Sequence, residues 1–251
     1  MITTANHQLW IGTSGLVLPV PNKQSFPQEF RSGTRLTFYA SLFNSLEVNS
    51  SFYKIPLPKT FSKWAAEVPE NFRFTVKLWQ GITHEPQLNF TPSEVDKFMH
   101  AANQLSTKKG CLLIQLPPSL RADKTVRLQH LLERIKQSDP QQNWNLAVEF
   151  RNRTWYTPEV ENLLNQFQTT RVLHDMPASK IMATTGQLPF VYLRLHGPVG
   201  DYKGGYSKNI LKGYAKMIKQ WQAAGKEVYV YFNNTIGDAI KDLEILRQMC
   251  A

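Results

Sequence analysis

The sequence predicts an α/β fold: a single-domain (β/α)8 barrel of the TIM type over residues 1–251, with the helix after the sixth strand weak or missing. Three observations predict it. Eight short segments carry strand character, seven of them run into helix-like stretches, and the 251 residues match the size of such a barrel. A doubly wound open sheet is the main competitor. It calls for a glycine-rich dinucleotide turn after the first strand, and Gly12-Thr13-Ser14-Gly15 does not fit that fingerprint.

The elements follow in order. Leu9 to Gly15 is a short strand running into a glycine turn, and a proline-rich loop leads to Phe30. Thr34 caps a helix with Leu36, Tyr39, Ala40 and Phe43 on one face. Ser45 to Asn49 alternates as a second strand, and Phe61, Trp64, Ala65 and Val68 have helical spacing. Phe72 to Lys77 is the cleanest alternation in the chain. Thr91-Pro92-Ser93-Glu94 reads as a capping box opening a helix that carries Val95, Phe98, Met99, Ala102 and Leu105. Cys111 to Leu116 is an apolar strand stopped by Pro117-Pro118, and Asp123 is placed to cap a helix with Leu128, Leu131, Leu132 and Ile135.

The fifth strand, Leu146 to Arg151, precedes a helix starting at Thr157-Pro158. Arg171 to Asp175 is a short sixth strand, and residues 176–189 show no good helix. Val191 to His196 is the seventh strand. A glycine-rich loop, Gly197 to Gly205, then leads to a helix capped by Ser207, with Ile210, Leu211, Tyr214, Met217, Ile218 and Trp221 inward. Val228 to Asn233 is the last strand, and Ala239, Ile240, Leu243 and Leu246 mark the last helix.

Side chains alternate across a strand, so the face that packs on helices must be apolar. That register sends Leu46, Val48, Phe74, Val76, Leu112, Ile114, Leu193, Leu195, Val228 and Val230 outward. It leaves Glu47, Asn49, Lys77, Gln115, Glu149, Arg151, Tyr192, Arg194, His196 and Asn233 inward, with Asp175 ending the sixth strand. Barrel interiors are usually filled by branched apolar residues, and active sites of this fold sit at the C-terminal ends of the strands. Seven strands here end on a polar or ionisable inward residue. A charged face is costly to bury unless it is partnered. One account is a structural polar core, in which Glu47, Glu149 and Asp175 pair with Lys77, Arg151 and Arg194. Such pairs gain little over apolar packing. The other is a pocket of mixed charge. There Glu149, Glu47 and Asp175, assisted by His196, are the acid–base candidates. Arg194, Arg151 and Lys77 hold an anion, and Asn49, Tyr53, Gln115, Trp155, Tyr192 and Asn233 complete the binding surface.

No cofactor is expected. A divalent metal is an alternative, because His196, Asp175, Glu149 and Glu47 are ligand types that suit zinc or manganese, although no short ligand spacing such as H-E-x-x-H occurs. His84, in the loop after the third strand, reads equally as a surface or structural residue and as a ligand, and His174, on the outward side of its strand, reads as structural. Lys208, Lys212, Lys216 and Lys219 line one side of a helix and read as a solvated face. The net charge of +10 points to an anionic partner or to a lysine-rich surface. Two cysteines, Cys111 and Cys250, give no disulfide framework or metal spacing. No leader pattern opens the chain and no apolar run approaches a membrane span, so a cytoplasmic protein without a membrane partner is expected.

The strand ends also resemble a known family. The matching segments are Gly12-Thr13-Ser14-Gly15; Glu47 to Tyr53 with Pro56; Lys77 with Ile82-Thr83-His84; Gln115 to Pro118; Glu149-Phe150-Arg151 with Trp155; Tyr192 to Gly197; and Phe232-Asn233-Asn234 with Gly237 and Ala239. Together they resemble the YecE-like family, domain of unknown function family 72, across almost the whole chain. The resemblance implies a TIM-type barrel and brings no established reaction. Leu16 stands where the family usually has tryptophan, and Thr235 where an aspartate is common.

Three functions compete on sequence grounds: an enzyme or binder acting on a small phosphorylated or carboxylated ligand; a nucleic-acid binder, with a metal-assisted phosphodiesterase or endonuclease as its catalytic version; and a non-catalytic module with a polar core. An open pocket at the strand ends favours the first two, and charges closed on one another favour the third.

Overall fold

A computed structural model describes residues 8–184 and 190–251. Nine parallel strand segments alternate with helices in the described residues. They are β1 (Leu9–Thr13), β2 (Ser45–Val48), β3 (Arg73–Lys77), β4 (Lys109–Gln115), β5 (Asn145–Glu149), β6 (Thr169–Arg171), β7 (Leu173–His174), β8 (Phe190–Leu195) and β9 (Glu227–Phe232). The helices are α1 (Arg35–Leu42), α2 (Ser50–Tyr53), α3 (Pro58–Ala66), α4 (Gln80–Thr83), α5 (Pro92–Ala102), α6 (Thr125–Ser138), α7 (Pro158–Gln166), α8 (Lys208–Ala223) and α9 (Ala239–Cys250).

The strands pair in the orders β1-β9-β8-β7 and β2-β3-β4-β5-β6. The expected sixth strand is therefore two pieces. β6 pairs with β5 and β7 pairs with β8, and between them the Val172 N–H donates to the Val148 carbonyl at 2.9 Å. Together the pieces carry the circuit past the fifth strand as one strand would. The helix expected to be weak after this point is indeed not an α-helix in the described residues. A 3-10 turn, Pro177–Ser179, takes its place, and Ile181 returns to bridge His174. Residues 185–189 of that weak stretch lie outside the described residues.

The second seam, between β1 and β2, is closed largely by side chains. Asn44 accepts from the Ile11 N–H at 3.0 Å and donates to the Leu9 carbonyl at 2.7 Å. The Tyr39 hydroxyl accepts from the Thr13 N–H at 2.8 Å and donates to the Ser45 carbonyl at 3.0 Å. Gly12 allows this approach, since a Cβ there would lie 1.9 Å from the Ser45 carbonyl oxygen. Beyond it, the Gly15 N–H donates to the Glu47 carbonyl at 2.8 Å.

Thr34, Thr157 and Ser207 cap their helices as their positions suggest, each accepting from an N–H three residues on. Thr91 does not. α5 begins at Pro92, but the Thr91 side chain makes no capping bond. Asp123 sits in a 3-10 turn before α6 instead of capping it. Ile210, read as inward, is 42% exposed at the first turn of α8.

The strand register holds. The outward residues Leu46, Val48, Phe74, Val76, Leu112, Ile114, Leu193, Leu195, Val228 and Val230 join the helices in one large core. Trp10, Cys111, Leu113, Ala147, Val172, Phe190, Tyr192, Tyr229 and Tyr231 form a separate apolar cluster within the barrel. The interior thus turns from apolar to charged toward the C-terminal strand ends, and that gradient places the site.

Candidate functional site

The deepest charged layer centres on Arg194, which is 1% exposed. Its inward position on β8 faces the ends of β2 and β5. Nε and Nη2 bind the two Glu47 carboxylate oxygens at 2.9 and 2.7 Å, a bidentate pair. Nη1 reaches Glu149 at 2.5 Å. Glu149 also contacts Nε of Arg151, its neighbour two residues along. Ser14 Oγ and the Tyr192 hydroxyl donate to the other lone pairs of Glu47, and Ser14 accepts from Asn49 Nδ2 at 2.7 Å. Burial alone would raise both carboxyls. The guanidinium groups outweigh it and hold Glu47 below, and Glu149 well below, the ordinary carboxylate range. Both are therefore ionised and neutralised.

A second layer joins β7, β8 and the loop after β8. The Asp175 carboxylate accepts from the His196 backbone N–H at 2.8 Å, lies 3.2 Å from His196 Nδ1, and accepts from the Tyr206 hydroxyl. Tyr206 in turn accepts from the Gly197 N–H at 2.6 Å. The far ring nitrogen of His196 meets Arg151 Nη2 at 3.0 Å. Burial pushes His196 below the usual histidine range despite its carboxylate partner, so it is neutral and Nε2 accepts from Arg151.

Above both layers opens a cleft of about 280 Å³, lined by Asn49, Phe52, Tyr53, Lys77, Gln115, Arg151, Arg194, Tyr202, Asn233, Thr235 and Ile236. Glu47, Glu149, Asp175 and His196 do not line it. The wall is cationic and amide-rich, and the carboxylates lie behind the arginines. Lys77 sits at the end of β3 with its ammonium 3.8 Å from the centre of the Phe52 ring. Burial, then the nearby Arg194 guanidinium, lowers its pKa from 10.5 to about 8.

A family model described as "Protein of unknown function DUF72" matches residues 10–251. The chain belongs to the DUF72 family. The UPF0759 protein YunF of Bacillus subtilis is 27% identical over 250 residues, covering 86% of each chain. A DUF72 family protein from Enterococcus faecalis superposes with a TM-score of 0.78 at 21% identity, covering 97% of this chain and 95% of that one. The same barrel extends beyond DUF72. An AP endonuclease of family 2 from Brucella melitensis matches with a TM-score of 0.56 at 12% identity, over 90% and 92% of the two chains.

Of the residues singled out by sequence, Asn49, Tyr53, Lys77, Gln115, Arg151, Arg194 and Asn233 meet at the cleft of this DUF72 protein. Tyr192 lies below it, hydrogen-bonded to Glu47 and fully buried. Trp155 is elsewhere. Its ring stacks on outward-facing Phe150 at 4.9 Å, its indole N–H donates to the Leu120 carbonyl, and it is 0% exposed. Its loop turns back under the shell instead of over the mouth. His84 packs edge-on against Phe52, and burial brings it down to about 4. His174 is buried against the Phe150 carbonyl.

Sequence periodicity missed Phe52, Tyr202, Tyr206 and the hydrogen-bonding role of Ser14, because turns and loops carry no period. The Gly-Thr-Ser-Gly and Gly-Gly-Tyr turns were the available signal. Thr235 lines the cleft, so the departure from the aspartate common in the family falls at the site itself.

Among the described residues, no group of three or more His, Cys, Asp or Glu side chains is placed to hold a metal ion. The Arg194 guanidinium bridges Glu47 and Glu149, and Asp175 is engaged by His196 and Tyr206. As arranged, this donor set does not fit a divalent cation.

Proposed function

We propose that this DUF72 protein binds a small anionic ligand, phosphorylated or carboxylated, in the cleft at the C-terminal ends of the strands. The observation that carries the reading is the separation of charge. Lys77, Arg151 and Arg194 line the cleft, and the carboxylates that neutralise the arginines are buried behind them. Arg151 is tied to Glu149 through Nε and to His196 through Nη2, so Nη1 is the group it offers an oxyanion, whereas Arg194 spends Nε, Nη1 and Nη2 on Glu47, Glu149, Ser14 and His196 and contributes fixed positive charge from the cleft floor. Asn49, Gln115 and Asn233 add amide groups, and Phe52, Tyr53 and Tyr202 supply apolar walls. In this reading Glu47 and Glu149 hold the arginines in place and take no part as acid and base. Asp175 fixes His196, which in turn meets Arg151.

The test is a thermal-shift screen with inorganic phosphate and a panel of phosphorylated and carboxylated metabolites. Hits should be confirmed by calorimetry on wild type and on Lys77→Met and Arg151→Met. Loss of at least ten-fold in affinity in both variants is the expected result. No hit across the panel, or hits that both variants retain, would sink the reading.

A second reading is nucleic-acid binding. The net charge of +10 favours it, as do the exposed Lys54, Arg153 and Lys203 on loops at the same end of the barrel. The AP endonuclease likeness shows the fold alone. Binding to a labelled oligonucleotide should weaken steeply with added salt, as release of condensed counterions requires. A flat salt response, or no binding at low salt, removes it.

A further inference from the structure

We propose that Lys77 is a nucleophile that forms a Schiff base with an aldehyde or ketone carrying the anionic group, an inference that rests on the anion-binding reading of the same cleft. Three features of its setting point this way. Lys77 closes β3, in register with Leu113 of β4, so its backbone is held by the barrel and its side chain enters the cleft from a rigid wall. Its ammonium is unlike the other two cations there. Arg151 and Arg194 each hold a carboxylate, whereas no carboxylate among the described residues lies within 4.0 Å of Lys77. Its charged end instead faces the Phe52 ring.

The division of labour follows from the chemistry of the two side chains. The two guanidinium groups already supply permanent positive charge at the cleft. What lysine alone offers is an amine that can lose its proton. Desolvation and neighbouring cations are the conditions that release it. With its pKa near 8, roughly a tenth of Lys77 is free amine at pH 7, against about 0.04% for an ordinary lysine.

The reaction balances without a redox partner. The Nζ lone pair attacks the carbonyl carbon, a C–N bond forms, and the carbonyl oxygen takes a proton. The carbinolamine then loses that oxygen as water while the nitrogen lone pair closes the C=N bond. From the ammonium, the sum is one carbonyl consumed, one water released and one iminium formed, with charge unchanged. Arg151 holds the carboxylate or phosphate with the charge of Arg194 beneath it, and Phe52 beside Nζ limits the water that would reverse the step.

The experiment treats the whole protein with glyoxylate or glycolaldehyde phosphate in the presence of cyanoborohydride, which reduces an imine to a stable secondary amine. Peptide mass mapping then ranks the lysines. Lys77 is expected to label at least ten times faster than exposed Lys54 and Lys203, with a pH midpoint near 8. Phosphate should slow it. Lys77→Arg, which keeps a cation and removes the amine, should abolish the fast label. Labelling of Lys77 no faster than Lys54, in protein that phosphate stabilises, overturns the nucleophile and leaves anion binding standing. Phosphate that neither stabilises the protein nor slows labelling overturns the anion reading.

Discussion

Arg194 shows how one side chain can hold a site and a fold together. It is buried between two carboxylates, and removing one member of such a group strands the others. Arg194→Met is expected to cost ~3–5 kcal/mol in urea denaturation, because Glu47 and Glu149 remain charged and buried. The triple variant Glu47→Gln, Arg194→Met, Glu149→Gln should recover most of that loss. A triple variant no more stable than Arg194→Met would show that the arginine acts through packing and not charge. His174 gives a separate signal. Burial lowers its pKa from 6.5 to about 4, with Glu149 and Arg151 as the charged groups near it. The unfolded chain therefore binds a proton first, and stability falls as pH drops from 6.5 toward 4. Full protonation of the unfolded state is worth about 3 kcal/mol at this one position. His174→Gln should reduce the slope of the thermal midpoint across that window, with His84 and His196, also held low by burial, supplying the remainder, and an unchanged slope would place the titration on those two. The paired carboxylates contribute only lower, below their ordinary 4.5. At this scale the sequence showed which residues converge, because period two sorts inward from outward. It could not show which partner each would take. Trp155 was misplaced because a loop residue has no register.

Among elements, the seam between β1 and β2 is the most exposed to a single change. Tyr39, from α1, supplies one hydroxyl to satisfy a backbone donor and acceptor that a neighbouring strand would otherwise pair. Tyr39→Phe leaves the buried Thr13 N–H and Ser45 carbonyl without that partner, and about 2 kcal/mol of stability should go with it. Hydrogen exchange at Thr13 should rise in step. Equal protection in the variant would mean that backbone pairing alone closes the seam. Gly12→Ala is the sharper insult, since no rotamer can move a Cβ out of the Ser45 carbonyl. The glycine was visible in the sequence, but its reason was not, because it depends on a strand more than thirty residues away. The break at Val172 was hidden for a related reason. Arg171-Val172-Leu173-His174-Asp175 reads as one short strand, and only pairing to two different neighbours divides it.

For the whole molecule, strand–helix repetition made the barrel legible, and the outward faces of the strands confirmed its register. The functional layer was legible as a place more than as a chemistry. Composition gave a net charge of +10, and the fold sorts it. Lys208, Lys212, Lys216 and Lys219 are all exposed on α8, away from its buried stripe, which is the solvated face their spacing suggested. Neutralising these four to Gln is expected to leave phosphate binding at the cleft within two-fold while weakening any oligonucleotide binding that depends on bulk charge. A loss of phosphate binding in that variant would move the anion site away from the strand ends.

The cleft and the layers beneath it form a closed electrical account: Glu47, Glu149 and Asp175 face Arg151, Arg194 and Lys77. An incoming anion disturbs that neutrality, and Lys77, poised near 8, is the group that can answer by taking up a proton. Ligand capture and protonation are then one event. Near pH 8, up to about half a proton should enter with each phosphate bound. Calorimetry in two buffers of different ionisation heat reads this directly, and binding heats that agree in both would separate the two events. The expected outcome is an affinity for phosphate that falls as pH rises through about 8.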